Sequence, residues 1–350
     1  MHARSTNGDT SVVLERRAGA ATLRDVAEVA GVSASTASRV LNRGARAVSD
    51  ELSTRVLAVA DALGYVGNQA ARALRGLRSG VVLLAEDPRT ASIAAMAAGM
   101  EQAGREHDVT VSITAVGQDP SDHISALRVL RGMRPLALVV TSASFAASDR
   151  ELILTELRSV RRDGANVVFI GEHDYDFPAV RFDDQEVGRM VGRHMASLGR
   201  SRPAILTSHG HPAMESRARG FLDAFAEAGY DVERIAIENS DVSRAGGRDA
   251  TRRLLERSRR PDVILAGNDV LAIGALHALN EAGLATPRDV ALSGVDDIPI
   301  ACDLTPPLTT VALPFLEAGR AALALALSSA DEPDVHLRGR LIVRASTLAA

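Results

Sequence analysis

The chain has 350 residues, 46% of them hydrophobic and 3% aromatic, a formal net charge of −4 and a single cysteine, Cys302. That length buries a substantial core in two or three domains, which excludes a small peptide or a disordered chain. One cysteine excludes an internal disulfide, no signal-peptide pattern opens the chain, and the longest apolar stretch, Ala321 to Leu327, is only of core-helix length, so a cytoplasmic protein with no membrane partner is expected. The charge is uneven: residues 1–79 hold eleven Arg against seven Asp and Glu, net +4, which leaves −8 on the remainder. Every Lys/Arg position is Arg, a residue suited to phosphate and guanine, although genomic bias produces the same composition.

Residues 1–19 mix Ser, Thr, Gly and charge without periodicity and read as a disordered leader or a start placed too early. From Thr22, a plausible N-cap, Leu23, Val26, Ala27 and Ala30 fall at helical spacing, and Gly31 supplies a left-handed stop. Ser33 caps a second short helix with Ala37, Val40 and Leu41 inward and Ala34, Ser35, Ser38 and Arg39 outward, the spacing of a helix-turn-helix. A third helix from Ser49 to Leu63 turns Leu52, Val56, Val59 and Leu63 inward and stops at Gly64, so residues 20–66 close a small three-helix head. Residues 67–79 follow as a short hinge helix in which Leu74 is an exposed large apolar side chain.

From Gly80 strands and helices alternate: Val81 to Leu84, a helix from Ile93 through Gly104, Val109 to Ile113, a helix around Leu127, then Leu136 to Val140, Val167 to Ile170, Ala204 to Thr207, Val263 to Ala266, Val290 to Ser293 and a last strand Leu341 to Ala345. This predicts an α/β fold of doubly wound parallel sheets in residues 80–350, with two lobes and a cleft at the strand C-terminal ends. The N-lobe is expected at about 80–179 and 311–338 and the C-lobe at about 180–308 and 339–350. His209-Gly210-His211 beside Glu215 has poor spacing for a metal and reads as surface histidines, and neither a nucleophile elbow nor a phosphate loop is present, so no enzyme, metal or cofactor is expected.

The run Thr22-Leu23-Arg24-Asp25-Val26-Ala27-Glu28-Val29-Ala30-Gly31-Val32-Ser33, continuing through Thr36 and Ser38-Arg39-Val40-Leu41-Asn42, closely resembles the signature of the lactose/galactose repressor (LacI/GalR) family of bacterial transcription regulators. The likeness extends through Arg217-Ala218-Arg219-Gly220-Phe221, Gly267-Asn268-Asp269, Gly294-Val295-Asp296-Asp297 and Thr305-Pro306-Pro307-Leu308-Thr309-Thr310. It implies a helix-turn-helix head plus a two-lobed periplasmic-binding-protein-like effector domain: a repressor whose affinity for double-stranded operator DNA is set by a small-molecule effector, a sugar or similar polar metabolite.

By the same resemblance Ala34, Ser35 and Arg39 face base edges while Thr22, Ser33, Thr36, Ser38 and Asn42 hold phosphates, a division that suits a guanine-reading Arg and short hydroxyls. Ala34 is equally well a helix-forming filler. The hinge, with Asn68, Ala71 and Leu74, would order in the minor groove beside its dimer mate and wedge Leu74 between base steps, unless Leu74 packs on the next domain. Gly67 stands where many relatives have proline, which makes ordering the hinge roughly 1 kcal/mol harder. In the cleft the resemblance makes Arg217 and Asp296 polar anchors with Asn268 near them, suiting vicinal hydroxyls or a carboxylated ligand. The alternative for these residues is an interlobe salt bridge or strand-end capping. Ser92, Ile93, Phe145 and Phe315 would line the walls, and Glu172 or His173 could replace an acid that relatives often carry after the strand ending at Ile170, although a charged loop residue is more often merely solvated. A periplasmic transport-binding protein would share the two lobes but not the basic head. Without a leucine heptad tail, a homodimer on a pseudo-palindromic operator is the simplest assembly.

Overall fold

A computed structural model of the chain describes residues 21–41, 49–65, 79–116, 120–141, 150–328 and 333–348. The expected leader, the hinge up to residue 78, and Asn42, Asn68, Ala71, Leu74 and Phe145 lie outside the described residues. The chain divides into two compact units, Met1–Leu77 and Arg78–Ala350.

The first unit contains α1 (Leu23–Val29), α2 (Ala34–Leu41) and α3 (Asp50–Ala62). Thr22 and Asp25 start α1 reciprocally: the Asp25 amide donates to the Thr22 hydroxyl at 3.3 Å and the Thr22 amide donates to the Asp25 carboxylate at 2.8 Å, so two helix-end donors are satisfied. Gly31, at φ +64, turns the chain left-handed into α2, and Ser49 caps α3 through the Leu52 amide. Val26, Ala27, Ala30, Ala37, Val40, Val56 and Ala60 form the core, with Val59 and Leu63 packed at its margin. Leu52, expected inward, is only half-buried, and Ala60 joins the core.

The second unit is built on two parallel sheets. The first comprises β1 (Ser79–Ala85), β2 (Val111–Ala115), β3 (Pro135–Thr141), β4 (Asn166–Ile170), β5 (Ala179–Phe182) and β11 (Val335–Leu337), in the order β11-β5-β4-β3-β1-β2. On it pack α4 (Ala91–Glu106), α5 (Pro120–Met133), α6 (Arg150–Arg162) and α11 (Phe315–Leu327). The second comprises β6 (Pro203–Thr207), β7 (Ala236–Asn239), β8 (Val263–Ala266) and β9 (Ala291–Ser293), in the order β7-β6-β8-β9, with α7 (Asp184–Ser197), α8 (Pro212–Glu227), α9 (Arg244–Glu256) and α10 (Asp269–Glu281). β10 (Thr310–Ala312) pairs antiparallel with β12 (Arg340–Ile342) where the chain passes between the sheets.

Four strands were not read from the sequence. β5, β7, β10 and β11 have only three or four residues each, too short for a period, and β7 alternates half-buried Ala236 and Glu238 with exposed Ile237 and Asn239. β5 keeps the chain in the first sheet through Phe182, later than the exchange expected at 179. β2 starts at Val111 rather than Val109, and β12 ends at Ile342 rather than Ala345.

Three helix pairs in this unit meet through reciprocal glycines. A Cβ on Gly99 of α4 would land on the Leu316 carbonyl and one on Gly319 of α11 on the Met96 carbonyl. Gly188 of α7 faces the Arg217 carbonyl and Gly220 of α8 the Gln185 carbonyl; Gly247 of α9 and Gly274 of α10 repeat the arrangement against Leu271 and Arg244. Backbones approach this closely only where no side chain intervenes, at a helix-propensity penalty of about 1 kcal/mol per glycine that packing offsets. Gly188→Ala is expected to destabilise the protein by roughly 1–3 kcal/mol through overpacking, whereas Gly132→Ala, which meets nothing within 4 Å, should leave the melting temperature unchanged or raised. Equal melting temperatures for both variants in scanning calorimetry would remove the close approach as a constraint.

Candidate functional site

In the first unit Ala34, Ser35 and Arg39 are exposed on α2, while Thr36 and Ser38 are half-buried. The Ser33 hydroxyl accepts from the Thr36 amide at 3.1 Å and shares hydrogen bonds of 2.8 Å with the hydroxyls of Ser35 and Thr36. Arg39 lies back along its own helix, its Nε donating to the Ser35 carbonyl at 3.3 Å, which leaves the rest of the fork outward. Thr22 is exposed but committed to Asp25. A row of short hydroxyls and one guanidinium is a surface that can donate to phosphates and base edges.

In the second unit the polar residues converge at the C-terminal ends of β8 and β9. β8 runs into Gly267 and then Asn268, which caps α10 by accepting the Leu271 amide at 2.9 Å. Arg217, 6% exposed, comes from α8. Its Nε donates to Asp184 Oδ1 at 2.7 Å, and its Nη1 donates to the Gly267 carbonyl at 2.9 Å and to Asp296 Oδ1 at 3.3 Å. Arg217 and Asp296 therefore do meet, as a salt bridge inside the second lobe, and Asn268 spends its side-chain oxygen on a helix end. Asp184, the first residue of α7 and 1% exposed, is a third member that the sequence reading missed. Its only sequence signal was the doublet Asp183-Asp184, of which Asp183 is the N-cap.

Asp296 sits at φ +118, a backbone region that side chains rarely adopt, held by its amide donating to the Val311 carbonyl at 2.9 Å. Burial, with Asp184 nearby, pushes its carboxyl up to about 6 against the pull of Arg217. Asp269 beside it is wholly buried and accepts from the Thr310 hydroxyl at 2.7 Å and the Ile298 amide at 2.9 Å; burial and the Asp296 charge push it up to about 8.

From the first lobe, Glu172 follows β4 and accepts from the hydroxyl of Ser216, the residue before Arg217, at 3.0 Å, so it links the lobes. His173 turns instead into an aromatic cluster, 4.4 Å from Phe169 and stacked on Tyr175, and burial pushes it down to about 4. Ser92 and Ile93 occupy the half-buried first turn of α4, and Phe315 starts α11 edge-on to Phe182 at 5.6 Å. The expectation of surface histidines holds for His209, which is exposed and 3.3 Å from Glu215, but not for His211. His211 caps α8 with Nδ1 buried and without a partner, and burial beside Arg217 lowers it to about 4. Among the described residues there is no cluster of three His, Cys, Asp or Glu that would hold a metal, and no helix long and apolar enough to cross a membrane.

Residues 22–68 match the bacterial regulatory proteins of the lacI family, and residues 193–347 match the periplasmic binding protein-like domain. The HTH-type transcriptional regulator DegA of Bacillus subtilis is 30% identical over 302 residues, 85% of this chain and 88% of that protein. The chain belongs to the lacI family. The regulator GalR of Escherichia coli is likewise 30% identical, over 89% of this chain and 90% of its own length. Among solved structures, the lac repressor dimer bound to operator and the anti-inducer ONPF superposes with a TM-score of 0.81 at 25% identity, covering 95% of this chain and all of that one. The CelR–cellobiose complex gives 0.67 at 26% identity over 93% of this chain and 99% of that one. This lacI-family chain is thus a helix-turn-helix transcriptional regulator with an effector-binding type of domain.

The shifted carboxyls make stability depend on pH. Asp269 keeps a proton that the unfolded chain has lost above its usual 3.8, so rising pH weakens the native state until about 8. His173 and His211 act oppositely but only below the usual 6.5, and Asp296 stops contributing above about 6. The melting temperature is expected to fall between pH 6.5 and 8, the interval bounded by the histidine and Asp269 values. Asp269→Asn should flatten that slope, because an amide can keep its oxygen on the Ile298 N–H and its nitrogen on the Thr310 hydroxyl but has no proton to lose in this range. A variant retaining the wild-type slope would show that Asp269 is not its source.

Proposed function

We propose that this lacI-family regulator is a cytoplasmic repressor that binds double-stranded operator DNA as a homodimer, α2 lying in the major groove of each half-site, and that a small-molecule effector held between the lobes of residues 80–350 sets its operator affinity. Arg39 reads a base pair with Ala34 and Ser35 beside it; Thr22, Ser33, Thr36, Ser38 and Asn42 fix phosphates; residues 67–79, with Asn68, Ala71 and Leu74, act as the hinge. The effector meets Arg217, Asp296 and the Asn268 amide, with Ser92, Ile93, Phe145 and Phe315 as walls. It is a sugar or similar polar metabolite, and the protein is not an enzyme.

The observation that carries this reading is the buried guanidinium of Arg217, held between two carboxylates at the strand ends of a periplasmic-binding-protein-like lobe, which is where such folds hold ligands. The lac repressor structure, a dimer on its operator, supports the assembly. A transport-binding protein is disfavoured by the match of residues 22–68 to the lacI family.

Operator affinity should fall steeply with salt in gel-shift titrations through counterion release. Arg39→Ala should cost roughly 1–3 kcal/mol and relax preference at one base pair per half-site; a uniform loss over all sequences would make Arg39 a phosphate contact instead. For the cleft, Asp296→Asn is a cleaner variant than Arg217→Ala, because removing Arg217 leaves the buried Asp184 without its partner. The Asn variant should fold and bind operator yet lose effector affinity by roughly 1–3 kcal/mol in calorimetry; affinity equal to wild type would return Asp296 to a purely structural salt bridge.

A further inference from the structure

We infer that the effector carries no negative charge: the cleft takes an uncharged or amine-bearing molecule rich in hydrogen-bond donors and rejects phosphorylated and carboxylated ones. This rests on the effector reading above and narrows its ligand class.

A carboxylate or phosphate is normally captured by two adjacent N–H groups of one guanidinium. Arg217 has no such pair to offer. Nε is taken by Asp184, Nη1 by the Gly267 carbonyl and Asp296, and only Nη2 has no hydrogen-bond partner among the described residues. Both edges of the fork that include Nη2 are therefore already half-occupied by protein oxygens.

The charge count points the same way. Asp184 and Asp296, both buried, face one guanidinium, and Glu172 reaches across from the other lobe close enough to act on Asp184. The neighbouring imidazole of His211 is neutral and supplies no compensating charge. The chain has no lysine, and Arg219, exposed, donates at 2.7 Å to the same Ser216 hydroxyl that donates to Glu172, outside the buried fork itself. A ligand anion would have to face the carboxyl groups of Asp184 and Asp296, both already held above the usual carboxylate range by burial, where a hydroxyl or ammonium group would find acceptors.

The test uses the full-length protein and matched probes that differ in charge: glucose, glucosamine, glucose 6-phosphate and gluconate; ribose and ribose 5-phosphate; adenosine and adenosine monophosphate. Binding is read by thermal shift and calorimetry, since a ligand of the folded state raises its melting temperature. In each responding set the neutral or amine member is expected to bind at least about 100-fold tighter than its anionic counterpart, the scale of one close charge repulsion in a partly screened site. An anionic probe binding as well as its neutral parent overturns the inference while leaving the effector cleft standing. Silence from every probe counts against the effector cleft itself, and the inference falls with it. Glu172→Gln keeps an oxygen for Ser216 and removes one negative charge, so it should narrow the neutral-to-anionic ratio about ten-fold, near 1.4 kcal/mol; an unchanged ratio excludes Glu172 from the discrimination.

Discussion

A guanidinium cannot shed its charge, so burying Arg217 dictates much of what surrounds it. Asp184 must start α7 at the right height, Asp296 must hold a left-handed backbone to present its carboxylate, and the β8 strand must end with the Gly267 carbonyl turned inward. Such a cluster adds little net stability, because desolvation offsets most of the attraction. What it supplies is position: with one carboxylate on α7 and the other beyond β9, the end of α8 is pinned to two separate elements. The glycine contact at Gly188 completes this arrangement by letting the two helix backbones touch at Arg217 itself.

On the proposed effector reading, the same cluster couples the cleft to the placement of the lobes. Glu172 on the first lobe reaches Ser216 on the second, one residue from the buried fork, so this hydrogen bond is one that ties the placement of the lobes to the polar centre. An effector that engages the fork acts on that link, and only a difference in its affinity for the two lobe arrangements can shift their populations. Charge-rich, partly compensated centres suit this role because small displacements change their energy strongly in a low dielectric.

Much of this was legible in the sequence, for physical reasons that can be named. Thr22, Gly31, Ser33 and Ser49 mark helix ends by their own side chains or by the lack of one, so local chemistry was enough for the head. The long apolar strands of both sheets announce themselves by composition. Other features depend on contacts far apart in the chain. Asp184 looks like an ordinary first-turn acid until α8 is packed against it, and nothing local separates His211, whose Nδ1 is buried, from the exposed His209. The short edge strands and the carboxylate reach of Glu172 likewise exist only through partners across a sheet or a cleft. Asn268, expected near the cleft, also caps the helix it starts, a role visible only once the Leu271 amide is in place.

The three glycine-paired helix contacts bear on how such a domain can move. Helices joined by interdigitated side chains can slide a little past one another, re-choosing rotamers as they go. Helices whose backbones touch at two reciprocal points have no rotamers there to exchange, and a slide of even an ångström drives a carbonyl into an α-carbon. Shear within α4–α11, α7–α8 or α9–α10 is thereby opposed, which favours movement of these helix pairs as blocks. Any rearrangement between the lobes is left to the connecting segments around residues 183, 294–314 and 338–340, which makes rotation about those segments, rather than deformation of either lobe, the motion this architecture permits.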